Sequence, residues 1–74
     1  MNLMTQPACL TARESEVLRL MARERTYAQI GEDLGVSLHR VTSHVRNTYR
    51  KLGVRSGAAA VMRAVELRLF GDTH

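Results

Sequence analysis

The chain has 74 residues, 45% of them hydrophobic and 24% charged, with one Cys, no Trp and a net charge of +4 at neutral pH. A chain this short buries about 60% of the surface its unfolded form exposes, so it holds one small core, which excludes a two-domain enzyme and leaves little room for a built-in sensor domain. The lone Cys9 excludes a disulfide framework, and Cys9 with His39, His44 and His74 does not make the four-ligand set of a structural zinc site.

Residues 1–9 are expected to be an N-terminal tail. They contain no basic stretch followed by an apolar run, so they do not read as a signal peptide. No segment reaches the roughly 20 apolar residues of a membrane span, and the chain reads as soluble and cytoplasmic. Cys9 reads as a small hydrophobe against the core. Thr11-Ala12-Arg13-Glu14 has the form of a capping box, with Leu10 placed as a staple residue. Val17, Leu18, Leu20 and Met21 then give one apolar stripe, and a first helix is predicted over about residues 12–24.

Thr26 and Gln29 repeat the box. Tyr27, Ile30 and Leu34 follow at helical spacing, which predicts a short second helix over about 27–34 with Gly35 as its left-handed stop. Gly31 in its middle costs helix propensity and suggests close packing against a neighbour. Ser37 caps a third helix, about 38–52, whose buried stripe is read as Leu38, Val41, Val45, Thr48 or Tyr49, and Leu52. Ser56 caps a fourth, about 57–69, with Ala60, Val61, Ala64, Val65 and Leu69 apolar and Gly71 as its stop. Residues 71–74 form a short polar tail. The expected fold is all-α, a compact four-helix domain.

Charge is distributed unevenly. Residues 35–65 contain Arg40, Arg46, Arg50, Lys51, Arg55 and Arg63 and no acid, whereas residues 1–34 carry Arg13, Arg19, Arg23 and Arg25 against Glu14, Glu16, Glu24, Glu32 and Asp33. A one-signed block in a balanced chain points to a polyanionic partner. A short helix, a turn containing Gly and a longer basic helix is the pattern of a helix-turn-helix. With Val41, Val45, Thr48 and Leu52 inward, the third helix turns His39, Thr42, Ser43, Arg46, Asn47 and Arg50 outward. Thr42 and Ser43 are short enough for close approach to base edges, and Arg46 is long enough to make two hydrogen bonds to a guanine.

Five runs in the chain resemble the LuxR/FixJ/GerE-type DNA-binding domain of bacterial transcription regulators, over about residues 10–70. They are Leu10-Thr11-Ala12-Arg13-Glu14, Glu16-Val17-Leu18, Ile30-Gly31-Glu32-Asp33-Leu34-Gly35-Val36-Ser37, Val41-Thr42-Ser43-His44-Val45 and Arg50-Lys51-Leu52-Gly53-Val54-Arg55-Ser56. The resemblance implies a homodimer on double-stranded DNA with the third helix in the major groove. It implies base contacts from Thr42, Ser43 and Arg46. Phosphate contacts are implied for Thr26, Tyr27, Arg40, His44, Asn47, Arg50 and Lys51, and His39 on the same outer face is added to them. Tyr27 reads equally as a core residue. The last helix is implied as the dimer contact, through Gly57, Ala58, Val61, Met62 and Val65. No cofactor is implied.

The chain departs from the family's pattern at four places. Thr42 stands where Lys or Arg is frequent, Ala12 replaces a first-turn Pro, no acid lies three residues after Ser56, and Arg68 occupies a position where Gly is usual and is expected to lengthen the last helix. Regulators of this kind mostly carry a further N-terminal receiver or ligand-binding domain. Met1 and the short tail 71–74 give the expectation of a stand-alone protein. The alternative to a DNA-binding regulator is a small interaction protein that binds a larger LuxR-type regulator through the last helix and antagonises or adapts it. RNA polymerase is a further possible partner. A promoter-binding fragment like that of a sigma factor is a lesser alternative.

Overall fold

The computed structural model describes residues 10–70, and the readings made for residues 1–9 and 71–74, including Cys9 and the Gly71 stop, lie outside them. The described residues form four helices: α1 (Ala12–Ala22), α2 (Tyr27–Leu34), α3 (Leu38–Leu52) and α4 (Gly57–Glu66). Each begins where a hydroxyl residue can satisfy an otherwise orphaned backbone N–H. Thr11 and Thr26 complete full capping boxes with Glu14 and Gln29. Ser37 and Ser56 supply the side-chain half alone, accepting from the N–H groups of Arg40 at 3.0 Å and Ala59 at 3.1 Å. Gly35 (φ 70°) and Gly53 (φ 69°) end α2 and α3 in the left-handed conformation that a Cβ disfavours.

The two remaining helix ends fall earlier than the sequence suggests. α1 stops at Ala22 rather than near residue 24, because Glu24 turns to φ 63°. α4 stops at Glu66 rather than near residue 69, because Arg68 turns to φ 58°. Arg68 therefore does not lengthen the helix. It takes the left-handed turn that a glycine would have made, and the N–H of Leu69 closes back onto the Ala64 carbonyl at 2.9 Å.

The core has two lobes. Val17, Ile30, Val41 and Val45 join α1, α2 and α3, and Leu18, Leu52, Ala60 and Ala64 join α1, α3 and α4. Met21 and Tyr49 pack against both. Burying a Val, Leu or Ile side chain is worth about 1.5–3 kcal/mol, so these few aliphatic residues carry the fold. Leu10 packs on the second lobe, in keeping with its staple position. One residue, read as part of the buried stripe of α3, departs from its expected burial. Leu38 is 54% exposed at the first turn of α3. Val65 and Met62 are exposed on α4, so neither belongs to the core. Thr48, by contrast, takes the inward position, with its hydroxyl donating to the His44 carbonyl at 2.7 Å.

The angle between α2 and α3 is set by close contact. A Cβ on Gly31 would lie 2.9 Å from the carbonyl oxygen of Val36, and the Val36 N–H donates to the Gly31 carbonyl at 2.9 Å. The turn thus folds directly against the helix that precedes it.

Candidate nucleic-acid interface

At about 100° per residue, the inward residues Val41, Val45, Thr48 and Leu52 fix which way every other α3 side chain faces. Opposite them lie His39, Ser43, Arg46, Asn47 and Arg50, with Thr42 on the flank toward α2 and Arg40, His44 and Lys51 on the flank toward α1. His39, Arg40, Thr42, Arg46 and Arg50 are exposed, and Ser43, His44 and Asn47 half-buried. The face has no carboxylate, and α3 carries a stronger positive charge than any other described helix.

Several of these side chains are pre-set by their neighbours. The Thr42 hydroxyl donates to the Leu38 carbonyl at 3.0 Å, so it is already engaged with its own helix while the residue stays exposed. The Asn47 amide oxygen accepts from Arg50 at 2.7 Å, holding that guanidinium along the helix rather than free in solvent. The Thr26 hydroxyl is engaged in the α2 cap, accepting from the Gln29 N–H at 3.1 Å, while remaining at the surface. Tyr27 is 37% exposed at the start of α2, and its hydroxyl lies 3.4 Å from that of Tyr49. It is neither a core residue nor a fully extended one. Burial, with the Tyr27 hydroxyl beside it, pushes the Tyr49 phenol up to about 12.

Lys51 has a partner that the sequence does not announce. Its ammonium donates to Glu14 Oε1 at 2.8 Å, linking the first turn of α1 to the last turn of α3. The Glu14 side chain is 4% exposed and that of Lys51 32%. Burial pushes the Glu14 carboxyl up, but the bonds from Lys51 and from the Thr11 N–H, with the nearby charges of Lys51 and His44, outweigh it and hold the group below its ordinary value. The capping carboxylate is thus also one half of an inter-helix ion pair. Nothing in the sequence signals a contact across 37 positions. The same holds for the two-pronged pair of Arg25 with Asp33, at 2.9 Å on both prongs, which ties the entrance of α2 to its exit.

On α4 the residues expected at a dimer contact divide. Ala58, Met62 and Val65 are exposed and Val61 half-buried, forming one apolar strip along the helix. Gly57, at the first turn of the same helix, is half-buried as Val61 is. A Cβ there would meet Met21 Cε at 3.2 Å and the Tyr49 hydroxyl at 3.4 Å, so this glycine makes room for the molecule's own core. Among the described residues no group of three His, Cys, Asp or Glu is placed to hold a metal ion, and no helix is long and apolar enough to cross a membrane.

Against known families, residues 8–64 match the bacterial regulatory proteins of the luxR family. The chain belongs to the LuxR family. It is the helix-turn-helix DNA-binding domain of that family, which is a family of transcription regulators and not of enzymes. Similar proteins include the transcriptional activator protein CarR of Pectobacterium carotovorum subsp. carotovorum, 43% identical over 63 residues, which are 85% of this chain and 26% of CarR. The probable transcriptional regulatory protein NarL of Mycobacterium tuberculosis is 43% identical over 61 residues, 82% of this chain and 28% of that protein. This LuxR-family chain therefore spans about a quarter of the length of such relatives. The spore germination protein GerE of Bacillus subtilis differs in size: the match is 38% identical and covers 85% of this chain and 81% of GerE. Among solved structures, the response regulator ChrA of a heme-sensing two-component system superposes with a TM-score of 0.81 at 34% identity, over 82% of this chain and 30% of ChrA. The four-helix LuxR-type architecture read from the sequence is the one observed.

Proposed function

We propose that this LuxR-family domain regulates transcription by reading a specific duplex sequence through the major groove with α3, as a homodimer joined through α4. The observation that carries this reading is the acid-free outer face of α3. Arg46 stands exposed at its centre, and Thr42 and Ser43 lie beside it with short side chains. Thr42, Ser43 and Arg46 contact base edges. Thr26, Tyr27, His39, Arg40, His44, Asn47 and Arg50 line the flanks and contact phosphates, which fix position without reading sequence. Lys51, on the same flank of α3 as Arg40 and His44, belongs with them. The exposed strip of Ala58, Val61, Met62 and Val65 is the dimer contact, with Gly57 setting the depth of α4 beneath it. The site of action is the bacterial cytoplasm, on the nucleoid.

The test is selection of sites from random duplexes with the purified chain, followed by Arg46→Ala. A two-fold symmetric consensus is expected. Arg46→Ala is expected to lose about 1–3 kcal/mol of discrimination at one base pair and to keep weak, salt-sensitive binding. Unchanged affinity for the selected site would refute the base contact.

A second reading is favoured by the same α4 strip, where Met62 and Val65 are 63% and 61% exposed. In it the chain pairs with a larger LuxR-type regulator and antagonises or adapts it, or meets RNA polymerase. Selection without enrichment of any sequence, together with pairing to such a regulator in sedimentation, would establish this reading in place of the first.

A further inference from the structure

Beside the α1-facing flank of α3 the surface forms an open groove of roughly 500 Å³, lined by Arg13, Gly35, Val36, Ser37, Arg40 and His44. Arg13 comes from α1, the other residues from the turn and from α3. We propose that this groove seats one backbone phosphate of the bound duplex, with Arg13 as a phosphate ligand supplied from outside the helix-turn-helix. The proposal rests on the DNA reading above and extends it to a residue that reading leaves out.

Three observations converge. Arg40 and His44 lie one turn apart on the same flank of α3, so their side chains face the same side of the groove, and Arg13 stands across from them. The groove's floor is the turn leading into α3, where the positive end of the helix dipole favours an oxyanion. The neighbouring carboxylates do not oppose it. Glu14 is buried and neutralised by Lys51 at 2.8 Å. Glu16 lies 3.2 Å from the Arg13 guanidinium, in a pair whose side chains are 42% and 52% exposed. Such an exposed pair is weak and screened by salt. A guanidinium carries five N–H donors, so Arg13 can exchange or share Glu16 for a phosphodiester oxygen pair, which matches its planar fork. The groove lies on the rim of the exposed α3 face, where a strand of the duplex passes when the helix enters the major groove.

The test uses the full chain with a selected duplex and a random duplex, with affinity followed over a range of salt concentration. Each phosphate neutralised contributes about 0.9 to the slope of log affinity against log salt on B-form DNA. Arg13→Gln is expected to flatten the slope by about 0.9 and to weaken both duplexes by the same factor. Arg19→Gln, an α1 arginine stacked over Phe70 at 5.7 Å and away from the groove, is expected to change neither. Arg13→Lys keeps the charge and is expected to keep the slope while losing part of the affinity. An unchanged slope in Arg13→Gln overturns the proposal, and so does an equal loss in the Lys and Gln variants, which points to damage to α1. The 15N resonance of the Arg13 guanidinium is expected to shift with duplex and not with millimolar inorganic phosphate. A shift with inorganic phosphate alone, beside an unchanged slope, marks a free-anion site and overturns the DNA role. Failure of the wild-type chain to bind either duplex refutes the DNA reading itself, an outcome distinct from all of these.

Discussion

Replacing Lys51 by Met leaves the Glu14 carboxylate 4% exposed and without its cation. Breaking a fully buried ion pair by removing one partner costs about 3–5 kcal/mol. Lys51 is a third exposed, so water already screens part of the pair, and Glu14 keeps its bond from the Thr11 N–H at 3.0 Å. A hydrogen bond to a charged group is worth about 1.5–3 kcal/mol, and about 2 kcal/mol is the expected loss at neutral pH. For a domain of this size that corresponds to a fall in Tm of roughly 8–16 °C. The pH dependence carries a sharper signature. In the wild-type chain the Glu14 pKa is lowered on folding, so its contribution is present at neutral pH and fades as pH falls through the folded value. Without Lys51, two of the causes that lower the Glu14 pKa are gone while burial, the largest single cause, still raises it, so the folded pKa moves up and the variant loses less stability on acidification. Urea unfolding of both proteins from neutral to acid pH should show the difference between them shrinking toward zero below about pH 4. A difference that is the same at both ends of that range, or a Tm loss of less than about 2 °C, would refute the assignment of Lys51 as the partner that keeps Glu14 ionised.

Other outcomes follow from single contacts. Gly31→Ala should lower the urea midpoint by the equivalent of about 1–2 kcal/mol, because the clash is with backbone, although helix propensity alone favours Ala by about 1 kcal/mol. An unchanged midpoint would show that the turn can move aside. Arg68→Gly should raise thermal stability by about 1 kcal/mol, since φ 58° costs a side-chain-bearing residue about 1–2 kcal/mol. The ultraviolet titration of Tyr49 should show a phenol deprotonating near 12, and Tyr27→Phe should bring it down by removing the neighbouring hydroxyl. Val61→Asp should shift sedimentation toward monomer with the helical content kept. A wild-type chain that is monomeric on its DNA site would refute the α4 dimer.

The legible part of this molecule is local. Thr11, Thr26, Ser37 and Ser56 sit where hydroxyl caps are expected, and all four helices begin directly after them. The outer face of α3 follows from periodicity once its valines are placed inward. What could not be read depends on residues far apart in the chain or on backbone angles with no residue signature. Lys51 looks like one more surface cation until Glu14 is brought beneath it. Arg13 reads as a helix-surface charge until α1 crosses α3. Glu24 and Arg68 end their helices in a conformation usually left to glycine, so propensity runs past both stops. Leu38 has the spacing of a core residue but stands at the first turn of α3 with its side chain in solvent.

The contact of Gly31 with Val36 has a mechanical consequence. An inter-helix joint with 2.9 Å between a would-be Cβ and a backbone oxygen has no slack in the closing direction. On the proposed reading, α2 and α3 meet the duplex as one stiff wedge, and the compliance in the complex has to come from the nucleic acid. The cost of bending or narrowing DNA depends on its own base steps. Base pairs that no side chain touches would then register in the affinity, and operator strength would report the flexibility of the spacer as well as the letters beneath Arg46.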